Sequence, residues 1–271
     1  MIDDLFLQPK EISQALIKIG EKKANSSAFD ILIFGILAGV YIGFGGMAAT
    51  TVISGGTLDA GYAKFLMGTV FSVGLMLVLI LGAELFTGNI LMMIGFLDGK
   101  YSAGKMFKNW GISFLGNFIG SILLALLVAN SGLLGNNAGL LTPVGIAAER
   151  ITQAKLSLGF WNAFYRGVLC NMLVCVAVIM SLSSKTVTGK IFGIYFPIMA
   201  FVLSGFEHSI ANMYFIPVSL LANNQFFTNF WMMWHNVIPV TLGNIAGGLL
   251  IVLLHPKSEK KLAKMLKNEG Q

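Results

Sequence analysis

Charge is the scarcest feature of this sequence. Of 271 residues, 18 are Lys or Arg and 12 are Asp or Glu, 11% in all, against about 25% in an ordinary soluble domain. So few charges cannot cover the surface of a water-soluble fold of this length. A soluble enzyme, a nucleic-acid binder and a disordered chain are therefore excluded as classes. Cysteine is nearly missing too. Cys170 and Cys175 both lie inside an apolar run, where free thiols are expected and no disulfide framework is implied. The opening MIDDLFLQPKEIS is acidic and polar, not the basic and then apolar pattern of a secretory signal. Short alternating segments, the signature of a transmembrane β-barrel, are also lacking.

What is abundant is apolar length: hydrophobic residues make up 56% of the chain. Six apolar segments, at 29–54, 65–97, 108–130, 160–182, 191–221 and 231–254, each reach the ~20 residues of a spanning helix. The fold class expected is an all-α membrane protein with six transmembrane helices. Ahead of the spans, Ile12, Ala15, Leu16 and Ile19 recur at helical spacing between Lys and Glu residues. They predict an amphipathic helix on the membrane face, as an interfacial anchor or as a gate. The expected organisation is an N-terminal helix in 1–28, a pore domain in 29–254 and a basic tail in 255–271.

Fourteen of the 18 Lys and Arg fall on one side of these spans; Lys64, Arg150 and Lys155 fall on the other, and Arg166 lies near a span end. This bias predicts that both termini are cytoplasmic. It also accounts for the net charge of +6 without nucleic acid.

Two spans are too long. Residues 65–97 would make a helix of about 50 Å at 1.5 Å per residue, against a hydrocarbon core of about 30 Å. Internal similarity explains the length. Gly82-Ala-Glu84-Leu-Phe-Thr-Gly88-Asn89 and Gly205-Phe-Glu207-His-Ser-Ile-Ala211-Asn212 share one pattern, 123 positions apart. Leu115-Gly116-Asn117 and Leu242-Gly243-Asn244 share another, 127 positions apart. Three spans per repeat invert the second half, so an inverted 3+3 repeat is expected, with the second and fifth helices broken. Such repeats build solute pathways where the broken helices meet.

Charge buried deep in these spans marks the breaks. Glu84 and Glu207 occupy equivalent repeat positions, and a charge at the bilayer centre costs at least ~2.5 kcal/mol. They are expected to support the breaks, with Asn89 and Asn212, by accepting backbone N–H groups freed there. His208 has no counterpart, since its repeat mate is Leu85. That asymmetry, beside a break, points to a functional imidazole. Thr87 offers a hydroxyl at the other break or back-bonds within its helix; both readings stay open. Asn171, Asn117 and Asn244 either line a path or bond between helices. Phe71, Leu75 and Phe201 either pack or constrict a path. Lys155 and Arg150 either draw anions toward the outer face or sit in solvent.

The segments SGFEHSIANMYFIPVSL (204–220), GAELFTGN (82–89), LCNMLVC (169–175) and IPVTLGNIAGG (238–248) together resemble the formate/nitrite transporter family. The resemblance runs through all six spans. It implies an aquaporin-like protomer assembled as a homopentamer in the cytoplasmic membrane, one pore per protomer. It also implies small monovalent anions as substrates: formate, nitrite or hydrosulfide. By motif, His208 becomes the central pore histidine and Thr87 part of the segment at the second-span break. Phe71, Leu75 and Phe201 become two hydrophobic constrictions, Lys155 the outer vestibule lysine and Asn171 a polar residue near the pore. No cofactor or metal is implied.

Two compensations are open for an anion that loses its hydration between apolar rings. It hydrogen-bonds to His208 and Thr87, or it takes a proton and crosses as the neutral acid, the preferred expectation. The alternatives weaken on motif. No Asn-Pro-Ala occurs at either break, as an aquaporin would have. No His-Glu-x-x-His supports an intramembrane protease.

Overall fold

The computed structural model describes residues 5–135 and 140–254. The basic tail expected at 255–271 lies outside the described residues, as do the five tail lysines of the charge count.

Helix α1 (Pro9–Asn25) begins with proline in its first turn and ends with Lys22 and Lys23, both arrangements that suit the helix dipole and its free N–H groups. Ile12, Leu16 and Ile17 are its buried face. The strand-like entry to α1 is tied down: the Leu7 N–H donates to Ser183 (2.8 Å) and the Lys185 N–H to Leu5 (3.1 Å). Tyr101 secures the other end. Its hydroxyl donates to the Met92 carbonyl, and the ring fits against Gly20 of α1 and Gly95, where any Cβ would collide with it. Burial pushes the Tyr101 phenol up from its ordinary pKa, so the donor stays protonated at neutral pH.

The first half then runs through α2 (Ala28–Val52) and α3 (Ala60–Leu81). After a break come α4 (Phe86–Asn89), a 3₁₀ turn (Ile90–Met92) and α5 (Met93–Leu97), followed by α6 (Ala103–Ala129). The second half repeats the order. Helix α7 (Pro143–Leu156) stands where α1 stood, followed by α8 (Phe160–Ser183) and α9 (Val187–Leu203). A second break leads to α10 (Ser209–Ala222), a short α11 (Phe226–Asn229) and α12 (Met232–Leu253). The repeat unit thus includes the amphipathic helix that precedes the spans. The long outer loop of the sequence reading contains α7, whose alternation is too weak to stand out beside the spans.

Among the described residues, five helices are long and apolar enough to cross a membrane: α2, α3, α6, α8 and α12. The fifth span of the sequence reading is divided into α9 and α10, neither of which reaches that length alone. Both breaks fall on repeat-equivalent glycines with left-handed backbone, Gly82 at φ 83° and Gly205 at φ 71°, a conformation other residues rarely take.

Small residues set how closely the helices meet. Gly35 and Gly116 let α2 and α6 touch at their backbones, as Gly167 and Gly243 do for α8 and α12. A lipid-facing bundle depends on such contact, because water gives no drive for helices to associate there. Around the girth, Phe29, Leu127, Phe192 and Leu254 stand more than half exposed, a surface matched to hydrocarbon rather than water.

Candidate functional site

Each break frees backbone groups inside the bundle, and each needs partners. One asparagine per half bonds two of them and ties the break to a carbonyl of the adjoining helix. Asn117 on α6 accepts the Phe86 N–H (2.9 Å) and donates to the carbonyls of Gly35 and Glu84 (2.8 Å each). Asn244 on α12 accepts the Ser209 N–H (2.9 Å) and donates to Gly167 (2.8 Å) and Glu207 (3.0 Å). The N–H groups of Glu84 and Glu207 reach the carbonyls of Phe34 (3.1 Å) and Arg166 (3.2 Å) on the neighbouring helix. The expectation that the two glutamate carboxylates take the freed N–H groups is thereby corrected. An amide both accepts and donates, which a broken helix requires and a carboxylate cannot provide.

The carboxylates instead anchor a polar cluster at each end. On the α1 side, Lys23 Nζ lies 2.9 Å from Glu84 Oε1 and 2.9 Å from Asn89 Oδ1. Asn89 donates to Glu84 (2.7 Å) and to Asn109 (2.8 Å). On the α7 side, Lys155 Nζ lies 3.1 and 3.0 Å from the two oxygens of Glu207. Asn212 donates to Glu207 and to Asn236 (2.6 Å each), and Asn236 donates to the Lys155 carbonyl (2.9 Å). Lys155 is thus not in a solvated loop: it sits on α7, partly buried, with its ammonium 5.3 Å from the Phe215 ring centroid.

Between these clusters the two half-helices meet. His208 precedes the first turn of α10, and its Nδ1 accepts the Ala211 N–H (3.2 Å). That bond assigns the remaining proton to Nε2, which donates to Thr87 Oγ1 at 2.8 Å. Both side chains are buried, at 3% and 0% exposure. Thr87 therefore bonds across the repeat rather than back along its own helix. Asn171 holds the same turn from behind, donating to the carbonyls of Thr87 (3.2 Å) and Asn244 (2.7 Å).

Aromatic rings adjoin the histidine on one side. Phe201 stacks on His208 at 6.1 Å, Phe71 meets Phe201 edge-on at 5.7 Å, and Phe215 stacks on Phe71 at 6.3 Å. Leu75 lies one helical turn beyond Phe71 and is buried.

Two cavities approach this centre from opposite ends. The α7-side cavity, about 310 Å³, is lined by Phe71, Phe201, His208 and the cations Lys64, Lys155 and Arg166. The α1-side cavity, about 280 Å³, is lined by Val78, Leu79, Leu85 and the cations Lys22, Lys23 and Lys190. Leu75, between Phe71 and Leu79 on α3, lines neither. Each mouth therefore has one lysine paired with its glutamate and two further cations. Among the described residues no group of His, Cys, Asp and Glu could hold a metal.

Lys23, Asn109, Asn236 and Phe215 escaped the sequence reading as site residues. A signal was present for two of them. Asn109 and Asn236 are 127 positions apart, the spacing of the Leu-Gly-Asn pair, so extending that repeat by two turns finds them.

A family model described as Formate/nitrite transporter matches residues 10–256. A "Probable formate transporter" of Methanothermobacter thermautotrophicus is 42% identical over 265 residues, covering 91% of this chain and 94% of the relative. The "Formate channel FocA" of Haemophilus influenzae is 35% identical, covering 93% and 94%. Among solved structures, an "FNT family ion channel" aligns with a TM-score of 0.78 at 30% identity, covering 91% of this chain and 96% of that one. A "Pentameric formate channel with formate bound" aligns with a TM-score of 0.71 at 34% identity, covering 83% and 94%. This multi-pass membrane protein belongs to the formate/nitrite transporter family, whose members are channels and transporters rather than enzymes.

Proposed function

We propose that this protein passes small monovalent anions, formate first, across a cytoplasmic membrane, with a proton moving through His208. The observation that carries the reading is the His208–Thr87 hydrogen bond (2.8 Å) between two cation-lined cavities. The formate-bound pentameric relative supports formate as substrate and a homopentamer with one pathway per protomer. The lysine bias supports cytoplasmic termini, which makes the α1 end cytoplasmic and the α7 end outer.

An anion is drawn to either mouth by its cations. Lys155 acts at the outer one, where Glu207 holds its ammonium and Asn212 braces that carboxylate; at the other, Glu84 and Asn89 hold Lys23 directly. Beyond the mouth, Phe71 and Phe201 form the outer constriction and Leu75 the inner one. Stripping water from a charged carboxylate there is costly unless the charge is matched or neutralised. Nε2–H of His208 turns from Thr87 to the anion. Turning the ring also takes Nδ1 off the Ala211 N–H, so a proton arriving with the anion binds Nδ1 as the Nε2 proton passes to the carboxylate, and the neutral acid crosses the apolar stretch. A water molecule from the cavity then takes the Nδ1 proton and gives one to Nε2, which restores the starting tautomer and the Ala211 hydrogen bond. Asn171 keeps the Thr87 turn in place throughout.

The test is formate uptake into proteoliposomes with nitrite, hydrosulfide and lactate as competitors. Formate uptake that the other small anions reduce is the expected result. Absence of formate uptake while nitrite or hydrosulfide passes would reassign the substrate.

A further inference from the structure

The two halves share their glutamates, glycines and asparagines around the breaks, yet at one place rings are exchanged for hydroxyls. Phe86, the first residue of α4, packs edge-on against Phe114 (5.1 Å) and Trp110 (6.5 Å) of α6. The spacings that relate Glu84 to Glu207 and Asn117 to Asn244 place Ser209, Thr241 and Val237 at these three positions. The correspondence is geometric as well, because Phe86 and Ser209 each give their backbone N–H to the equivalent asparagine.

Ser209 is fully buried. Its Oγ and the Thr241 Oγ1 are both shut off from solvent, and neither has a hydrogen-bond partner within the protein. A helical threonine ordinarily satisfies itself on a carbonyl three or four residues back; Thr241 does not. Ser209 begins its helix and has no such carbonyl behind it. Buried hydroxyls are rarely left unsatisfied, and a small molecule with two or more polar partners is the usual remedy.

We propose that Ser209 Oγ and Thr241 Oγ1 jointly bind one ordered water, which joins the first turn of α10 to α12 immediately behind His208. In the other half the same place holds two rings with centroids 5.1 Å apart. The two hydroxyls that replace them are not bonded to each other, and one oxygen placed between them would satisfy both. The ligand is neutral: the Ser209 N–H is already committed to Asn244, and the residues at the three exchanged positions carry no charge to hold an anion. Ser209 follows the pore histidine directly, so the water is part of what fixes where that ring sits.

The test uses the purified full-length protein in lipid nanodiscs. A cryo-electron-microscopy map fine enough to show waters should contain density within hydrogen-bond reach of both oxygens, with formate or without it. No density there would overturn the proposal. Density only with formate would overturn it as well, by making the place a substrate subsite. Thermal unfolding gives an independent reading. Thr241→Val should lower the Tm, since it breaks a satisfied bridge; an unchanged or raised Tm would show a dry pocket. Ser209→Ala with Thr241→Val should cost less than the two single losses together, because the first change already releases the shared water. Full additivity would contradict a shared ligand.

Discussion

Lys155 Nζ lies 3.0 Å from Glu207 Oε2, with the two side chains 13% and 7% exposed. At that depth neither charge is well solvated, and each depends on the other. Removing one partner of a buried pair costs roughly 3–5 kcal/mol, while replacing both together is often near neutral. Lys155→Met and Glu207→Gln should each lower the Tm strongly, and the double variant should recover much of the loss. Thermal unfolding of the four proteins in detergent closes the cycle; additive losses would mean that the pair is not coupled.

The asparagine clamps should be sensitive to substitution as well. Asn117→Ala removes one acceptor and two donors from buried backbone groups. The Phe86 N–H and the Glu84 carbonyl are orphaned, while the Gly35 carbonyl keeps its place in the α2 ladder; at about 1–3 kcal/mol per orphaned group a loss of at least ~2 kcal/mol is expected, with Asn244→Ala similar. The measurement is yield of folded oligomer together with Tm. A near-native Asn117→Ala would show that the break is satisfied in another way.

Glycines separate strain from collision. At Gly82 an added Cβ meets nothing, and only the left-handed backbone resists it, at about 1 kcal/mol. At Gly116 a Cβ would lie 2.7 Å from the Leu32 carbonyl and 2.9 Å from Gly35 Cα, which forces α2 and α6 apart. Gly116→Ala should therefore lower the Tm several times more than Gly82→Ala. Equal effects would refute close packing as the role of this face.

How much of this was legible in sequence depended on whether a residue acts alone or in a pair. Glu84 and Glu207 are visible because charge is rare in the spans, and His208 because its repeat mate is Leu85. The break positions were visible because two patterns recur at fixed spacing. The division of labour between carboxylate and amide was not: Asn117 and Glu84 are 33 positions apart, and only the fold brings one to the other's backbone. Helix α7 was hidden because an amphipathic helix at a membrane face carries little apolar signal beside its neighbours. Lys23 enters the sequence only as one of the cations that set topology, since nothing local ties a lysine on α1 to a glutamate beyond α3.

The free cations give a prediction about capture. Lys64 and Arg166 line the α7-side cavity and are exposed. Their pull on an anion should therefore be screened by salt. Replacing both with Gln should raise the half-saturating formate concentration for entry from that side several-fold at low ionic strength, and little at high salt. Maximal flux should stay unchanged. A drop in maximal flux with unaltered half-saturation would place these residues in the translocation step instead.

The central claim is proton-linked passage through His208, and it rests on the 2.8 Å contact with Thr87. The direct measurement is initial formate uptake into proteoliposomes, with and without an inward proton gradient, for the native protein and for His208→Phe. Uptake by the native protein should accelerate with the gradient, and His208→Phe should lose both the acceleration and its preference for formate. Native uptake indifferent to the gradient, or a variant with unaltered flux and pH dependence, would contradict the account.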